Sequence, residues 1–234
     1  MLAADARVFW GDGVKVYAAN EDGSGQAVIA SPSADQWYIR NFCIDDTRQR
    51  VFFFEESDSF SAGRVLSVTM EGLDRKTLYD GAGLGRGPYG MAIDSGRSKV
   101  FVQTHTDSRI HSIDVGTGDL NYLPQNVWYA RLSVDPVSSQ LFYSDVTGWG
   151  SGTPSIYALN GLKKCNEDGS SATSIPVSGA VPDSGVVAAP AEGVVYYNND
   201  NGSPGIYRVP LGGGTATTVI ANQAVRGFDY DPKS

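Results

Sequence analysis

The chain is 234 residues long, 41% hydrophobic and 19% charged, with a net charge of −8. That length can bury a sizeable core, and the acidic balance argues against nucleic acid or an anionic membrane as a partner, since both need a basic patch. No apolar run approaches the roughly 20 residues that span a bilayer, and the two cysteines, Cys43 and Cys165, make no disulfide framework.

From the N-terminus, MLAADARVFW has neither a basic n-region nor a long apolar h-region, so the expected compartment is the cytoplasm. The 28 glycines, 12 tyrosines and scarcity of helix-favouring runs point to an all-β protein rich in turns. Self-similarity then decides the architecture. A second-strand motif recurs as RVFWGD from Arg7, RVFFFE from Arg50, KVFVQT from Lys99, QLFYSD from Gln140 and GVVYYN from Gly193. Before it stands an apolar strand and turn: NFCIDD from Asn41, GMAIDS from Gly90, RLSVDP from Arg131, VVAAPA from Val186 and GFDYDP from Gly227. After it comes a third run, beginning near residues 14, 63, 108, 154 and 205, then a fourth at 27–30, 76–79, 120–123, 173–177 and 217–220. In this reading Cys165 falls in a polar loop.

Four strands written five times, roughly 41 to 53 residues apart, predict a five-bladed β-propeller of four-stranded blades, a single domain over residues 1–234. The first copy lacks its innermost strand and the last run, 227–231, has no followers. The C-terminal strand is therefore expected to complete the N-terminal blade and close the ring.

The runs at Val8–Asp12, Leu132–Pro136 and Leu141–Asp145, with the turns at Glu21-Asp22-Gly23 and Met70-Glu71-Gly72, resemble the YWTD propellers of the low-density-lipoprotein-receptor class. The chain is similar in particular to compact, stand-alone YWTD-like proteins of fungi. Some of those serve natural-product biosynthesis, including hetero-Diels–Alderases that join a quinone methide to a terpene olefin. The resemblance implies a cofactor-independent cyclase (a pericyclase) acting on an apolar small molecule. The alternative is a non-catalytic scaffold for a protein, peptide or glycan.

Candidate chemistry gathers on one face. In a propeller, the segments leading into the innermost strands share a rim with the loops between second and third strands. Aligning the innermost strands on their closing residues places Cys43, Ala92, Ser133, Ala188 and Asp229 around the axis. The rim carries Trp37, Tyr38, Phe60, Trp128, Tyr129, Trp149 and Asp183 as candidate substrate-binding residues, and Arg40, Tyr89, His105, Arg131 and Arg226 as candidate catalytic ones. Aromatics with a few convergent polar groups describe a ligand pocket; guanidinium and phenol donors there would polarise a carbonyl or quinone methide. The plainer reading is that such aromatics wedge between blades and such arginines pair with blade carboxylates. Asp12, Glu55 and Asp145 are expected to accept backbone N–H bonds between blades, and His111 to pack inside a strand. Asp200-Asn201-Gly202 hints at a calcium loop but lacks its closing Glu. No metal and no cofactor is expected.

Overall fold

A computed structural model describes residues 7–81, 83–85, 87, 90–127, 130–146, 159–179, 185–199 and 203–223. Blade one contains β1 (Arg7–Gly11), β2 (Val16–Asn20) and β3 (Ala27–Ala30). Blade two is β4 (Trp37–Asp45), β5 (Arg50–Ser57), β6 (Gly63–Thr69) and β7 (Lys76–Gly81). Blade three is β8 (Gly90–Asp94), β9 (Lys99–Thr104), β10 (Arg109–Asp114) and β11 (Leu120–Asn126). Blade four is β12 (Leu132–Asp135), β13 (Gln140–Val146), β14 (Leu159–Asn166) and β15 (Thr173–Ile175). After the short β16 (Val177–Ser178), blade five takes β17 (Val186–Ala189), β18 (Val194–Asn199) and β19 (Gly205–Pro210). The two-residue β20 (Gly214–Thr215) precedes its outermost strand, β21 (Thr217–Ala221).

Each blade is an antiparallel meander, and the innermost strands β4, β8, β12 and β17 stand side by side around the axis. The protein is a five-bladed β-propeller. Blade one shows three strands among the described residues; the closing strand expected at 227–231 lies outside them. The core sits between blades. Phe53, Leu66 and Val68 of blade two pack on Val16, Ala18 and Ile29 of blade one. The opposite face of blade two, with Phe52, Phe54 and Val65, packs on Met91, Val100 and Val102 of blade three. Alternation along β5 thus serves two seams with one strand, as period-2 side-chain geometry dictates.

The turns between first and second strands repeat closely. Asp45 pairs with Arg50, Asp94 with Lys99, Asp135 with Gln140 and Ala189 with Val194. In every case the last turn residue is left-handed, at φ 53° for Gln49, 57° for Ser98, 58° for Ser139 and 71° for Gly193. Asp45, Asp94 and Asp135 accept the N–H of Arg48, Arg97 and Ser138 three residues on, the usual Asx-turn chemistry. Arg48 and Arg97 also close ion pairs on Asp45 (2.8 Å) and Asp94 (3.0 Å) and reach onward, to the Ser95 carbonyl and the Pro136 carbonyl of the next blade. Successive blades are clasped in series at this end of the ring.

Three details depart from the sequence reading. The third strand of blade four is β14, not the run expected from 154, most of which lies outside the described residues. Cys165 is therefore a buried strand residue opposite Leu141 rather than a loop residue; Lys163 sits on that strand so that its ammonium can reach the buried Asp145 carboxylate. Blade five is offset by one residue, because its motif aligns from Val194 rather than Gly193. Val187 rather than Ala188 then takes the axial position of Ser133, while Ala188 donates its N–H to the Ser133 hydroxyl at 3.0 Å. Finally, Val177 is not part of the fourth strand. Pro176 has no N–H to give and ends the ladder, and β16 crosses to pair in parallel with β20 of blade five.

Candidate functional site

The face carrying the lead-in segments is best defined at blade two. Strand alternation sends Trp37 and Tyr38 to opposite sides of this sheet. Trp37 turns towards blade one, where the Arg64 guanidinium lies 3.9 Å from its ring centroid. Arg64 Nε donates to Glu55 at 3.0 Å. Glu55 is fully buried and also accepts the N–H and the hydroxyl of Ser33, on the segment arriving from blade one. Tyr38 turns towards blade three with Arg40, which stands two residues on, on the same side, as the extra residue of a β-bulge after Ile39. The Arg40 guanidinium lies 4.7 Å from the Tyr38 centroid, and its Nε donates to Glu56 at 2.8 Å. The other Glu56 oxygen accepts the Gly87 N–H at 3.1 Å, on the segment leading into blade three.

Arg40 is thus joined to a buried carboxylate, and so is Arg64. Each pairing holds an aromatic ring, and each carboxylate ties its blade to the segment beside a neighbouring blade. Phe60, on the β5–β6 loop of the same end, is 41% exposed and adopts φ 56°. A left-handed backbone is uncommon for so bulky a residue, and such outliers cluster at sites of function.

The remaining candidates divide in two. Arg131 is half-buried, its backbone paired to Ser144 through an N–H to hydroxyl bond of 3.1 Å and the return Ser144 N–H to carbonyl bond. His105 is half-buried at the start of the β9–β10 loop. Two residues on, Asp107 accepts from the Thr104 hydroxyl at 2.8 Å and meets Nε2 of the buried His111 at 3.0 Å, so the strand histidine is a hydrogen-bonded one. Tyr89, Trp128, Tyr129, Trp149, Asp183 and Arg226 lie outside the described residues, as do Asp200-Asn201-Gly202. Of the acidic strand positions, Glu55 joins blade one to blade two. Asp145 meets Lys163 of its own blade. Asp12 is exposed and caps its own hairpin, accepting the Val14 and Lys15 N–H groups and the Tyr17 hydroxyl; those backbone bonds hold its carboxyl below the ordinary range.

The residues that fix the lead-in segments were not anticipated. Gln103, fully buried in β9, donates to the Thr104 and Val127 carbonyls at 2.7 and 2.9 Å and accepts the Ala130 N–H at 3.4 Å. It thereby anchors both ends of the segment 127–130. Asn198 does the same for the Gly185 N–H in blade five. The available signal was a polar residue near the end of each apolar second strand, where burial requires a partner.

Elsewhere, neither thiol is disposed to act as a nucleophile: burial pushes Cys165 up to about 12, and burial also raises Cys43. A groove of about 560 Å³ opens at the opposite end between blades two and three, over Phe52, Leu78 and Val115. Its cations are already engaged: Arg48 with Asp45, and Arg50 and Lys76 with Asp74 at 2.9 and 3.0 Å. Among the described residues, no group of three or more His, Cys, Asp or Glu side chains is placed to hold a metal ion.

No known protein-family profile matches the sequence, and no curated protein matches it. Solved structures do. The nidogen propeller from a nidogen–laminin complex is 18% identical, with a TM-score of 0.67 over 89% of this chain and 73% of that one. A TolB from Acinetobacter baumannii is 7% identical, at TM-score 0.66, over 89% of this chain but 49% of its own length. A gluconolactonase from Xanthomonas campestris is 18% identical, at TM-score 0.58, over 83% and 70%. At such identities the likeness concerns the fold: the chain shares its propeller architecture with proteins of differing activity, among them a YWTD-type propeller.

Proposed function

We propose that this propeller is a binding scaffold whose lead-in face holds a peptide or protein loop against exposed aromatic surface. The observation that carries the reading is the state of the blade-two side chains. Arg40 and Arg64, the guanidiniums beside Tyr38 and Trp37, are tied to Glu56 and Glu55, while Phe60 is displayed on a strained loop tip. Stacking surface with internally neutralised charge favours recognition over proton transfer or carbonyl polarisation. The nidogen propeller, described in complex with laminin, supports the reading as an example of the fold used for docking.

The second reading is the cofactor-independent cyclase, with a quinone methide and a terpene olefin held in a reactive pose. What favours it is the half-buried His105 on the same face. In this reading His105, with Tyr89, Arg131 and Arg226, supplies the donors, and positioning supplies most of the acceleration.

One experiment separates the two. The protein is screened against a displayed library of ten-residue peptides and, in parallel, incubated with an o-quinone methide generated in situ and a humulene-type olefin. Peptides whose binding is lost in Phe60→Ala, with no adduct above background by mass spectrometry, support the scaffold. Stereoselective adduct formation abolished by His105→Ala or Arg131→Ala would replace it with the cyclase.

A further inference from the structure

In blades two to five, the turns between third and fourth strands are built alike. Met70, Val115, Glu167 and Leu211 occupy one equivalent position, each donating its N–H to the left-handed residue of the neighbouring turn: Gln49, Ser98, Ser139 and Gly193. Three of the four are apolar and pack towards the preceding blade. Of these four, blade four alone has an acid there; the corresponding residue of blade one, Glu21, is exposed, whereas Glu167 is only 5% exposed.

Its surroundings are also acidic. Across the seam, blade three presents the fully buried Asp94 within hydrogen-bonding reach of the Glu167 carboxyl. The cations facing it from the same blade, Arg97 and Lys99, stand 4.0 and 3.9 Å away, beyond hydrogen-bond length. Asp168, on its own turn, is held by the Ser170 hydroxyl and N–H. Neither Glu167 oxygen receives a hydrogen bond from a donor group among the described residues. Two buried carboxylates in contact cannot both be ionised cheaply, and a buried acceptor with no donor is costly. One proton placed between them relieves both defects.

We propose that Glu167 and Asp94 share a proton across the seam between blades three and four, making this seam a pH-sensitive clasp that is tight in mild acid and weakens towards alkaline pH. The proton resides on Glu167, which donates to Asp94. Asp94 remains the anion because, although burial opposes its charge, bonds from Glu167 and from the Arg97 N–H and guanidinium favour it. Burial first, then Asp94, push Glu167 up to about 7. An acid whose folded value is raised contributes stability that is fully present below its unfolded value near 4.5 and is lost as pH rises through about 7. Loss of the proton to solvent leaves two anions against Arg97 and Lys99 at the seam.

The test is carboxyl carbon NMR on uniformly labelled protein from pH 4 to 9, with urea unfolding over the same range. One glutamate resonance should titrate near 7 and vanish in Glu167→Gln. The folding constant of the wild type, relative to Glu167→Gln, should fall roughly tenfold to a hundredfold between pH 5 and 8.5, an order-of-magnitude linkage effect reduced by solvent screening. Glu167→Met, which restores the apolar residue of blades two, three and five, should fold and lack this pH-dependent component even if the Gln variant does not fold. The exposed Glu71→Gln should retain it. A Glu167 resonance titrating near 4.5, or a wild type and Glu167→Met with parallel pH profiles, would overturn the proposal.

Discussion

Glu56 offers the sharpest test of whether the blade-two arginine belongs to the scaffold or to a ligand. One oxygen of this buried carboxylate accepts the Gly87 N–H and the other the Arg40 Nε–H. Hydrogen bonds to a charged partner contribute about 1.5–3 kcal/mol each when buried. The Arg40 pair is worth about 1 kcal/mol, because its side chain is 34% exposed and screened, against 3% for Glu56. Glu56→Ala is therefore expected to destabilise by about 2–4 kcal/mol. Glu56→Gln, which keeps an acceptor for Gly87, should cost about 1–2 kcal/mol. Arg40→Ala should cost about 1 kcal/mol, with a coupling to Glu56 of similar size in a double-mutant cycle. Urea unfolding followed by circular dichroism at pH 7 reads the wild type, the three single variants and the Arg40→Ala/Glu56→Ala double variant. A Glu56→Ala loss below about 1 kcal/mol would refute the anchoring argument. A cycle coupling near zero would show that Arg40 does not depend on Glu56 and is free for a ligand.

Other outcomes follow from the same contacts. Gln103→Leu should cost about 2–4 kcal/mol, since it strands the Val127 carbonyl and the Ala130 N–H in a buried site; hydrogen exchange at Ala130 should rise with it. Phe60→Gly relieves the left-handed strain at φ 56° and is expected to stabilise the fold by about 0.5–1 kcal/mol while weakening peptide binding; stabilisation with unchanged binding would remove Phe60 from the interface. Arg48→Met and Arg97→Met each release an inter-blade clasp and should cost about 1–2 kcal/mol in urea unfolding.

The fivefold repetition was legible because blades are local: each strand pairs with its sequence neighbour, so hydrophobic alternation and turn spacing write the meander directly into the chain. The same locality made β14 and the blade-five register hard to read. Pro154–Leu159 alternates more convincingly than Leu159–Asn166, and nothing local marks Val194 over Gly193 as the partner of the closing residue. Tertiary pairing, Leu141 with Cys165 and Ala189 with Val194, decided both.

By itself, then, the sequence determined the propeller, its blade number and the rim on which Trp37, Tyr38, Arg40, Phe60 and His105 stand. Only the assembled ring decided what those side chains do. Period-2 alternation separates Trp37 from Tyr38 across one sheet, and the partners that neutralise Arg40, bury Glu167 and anchor the segment at Ala130 arrive across blade seams. Such contacts are long-range, so no spacing within one repeat encodes them.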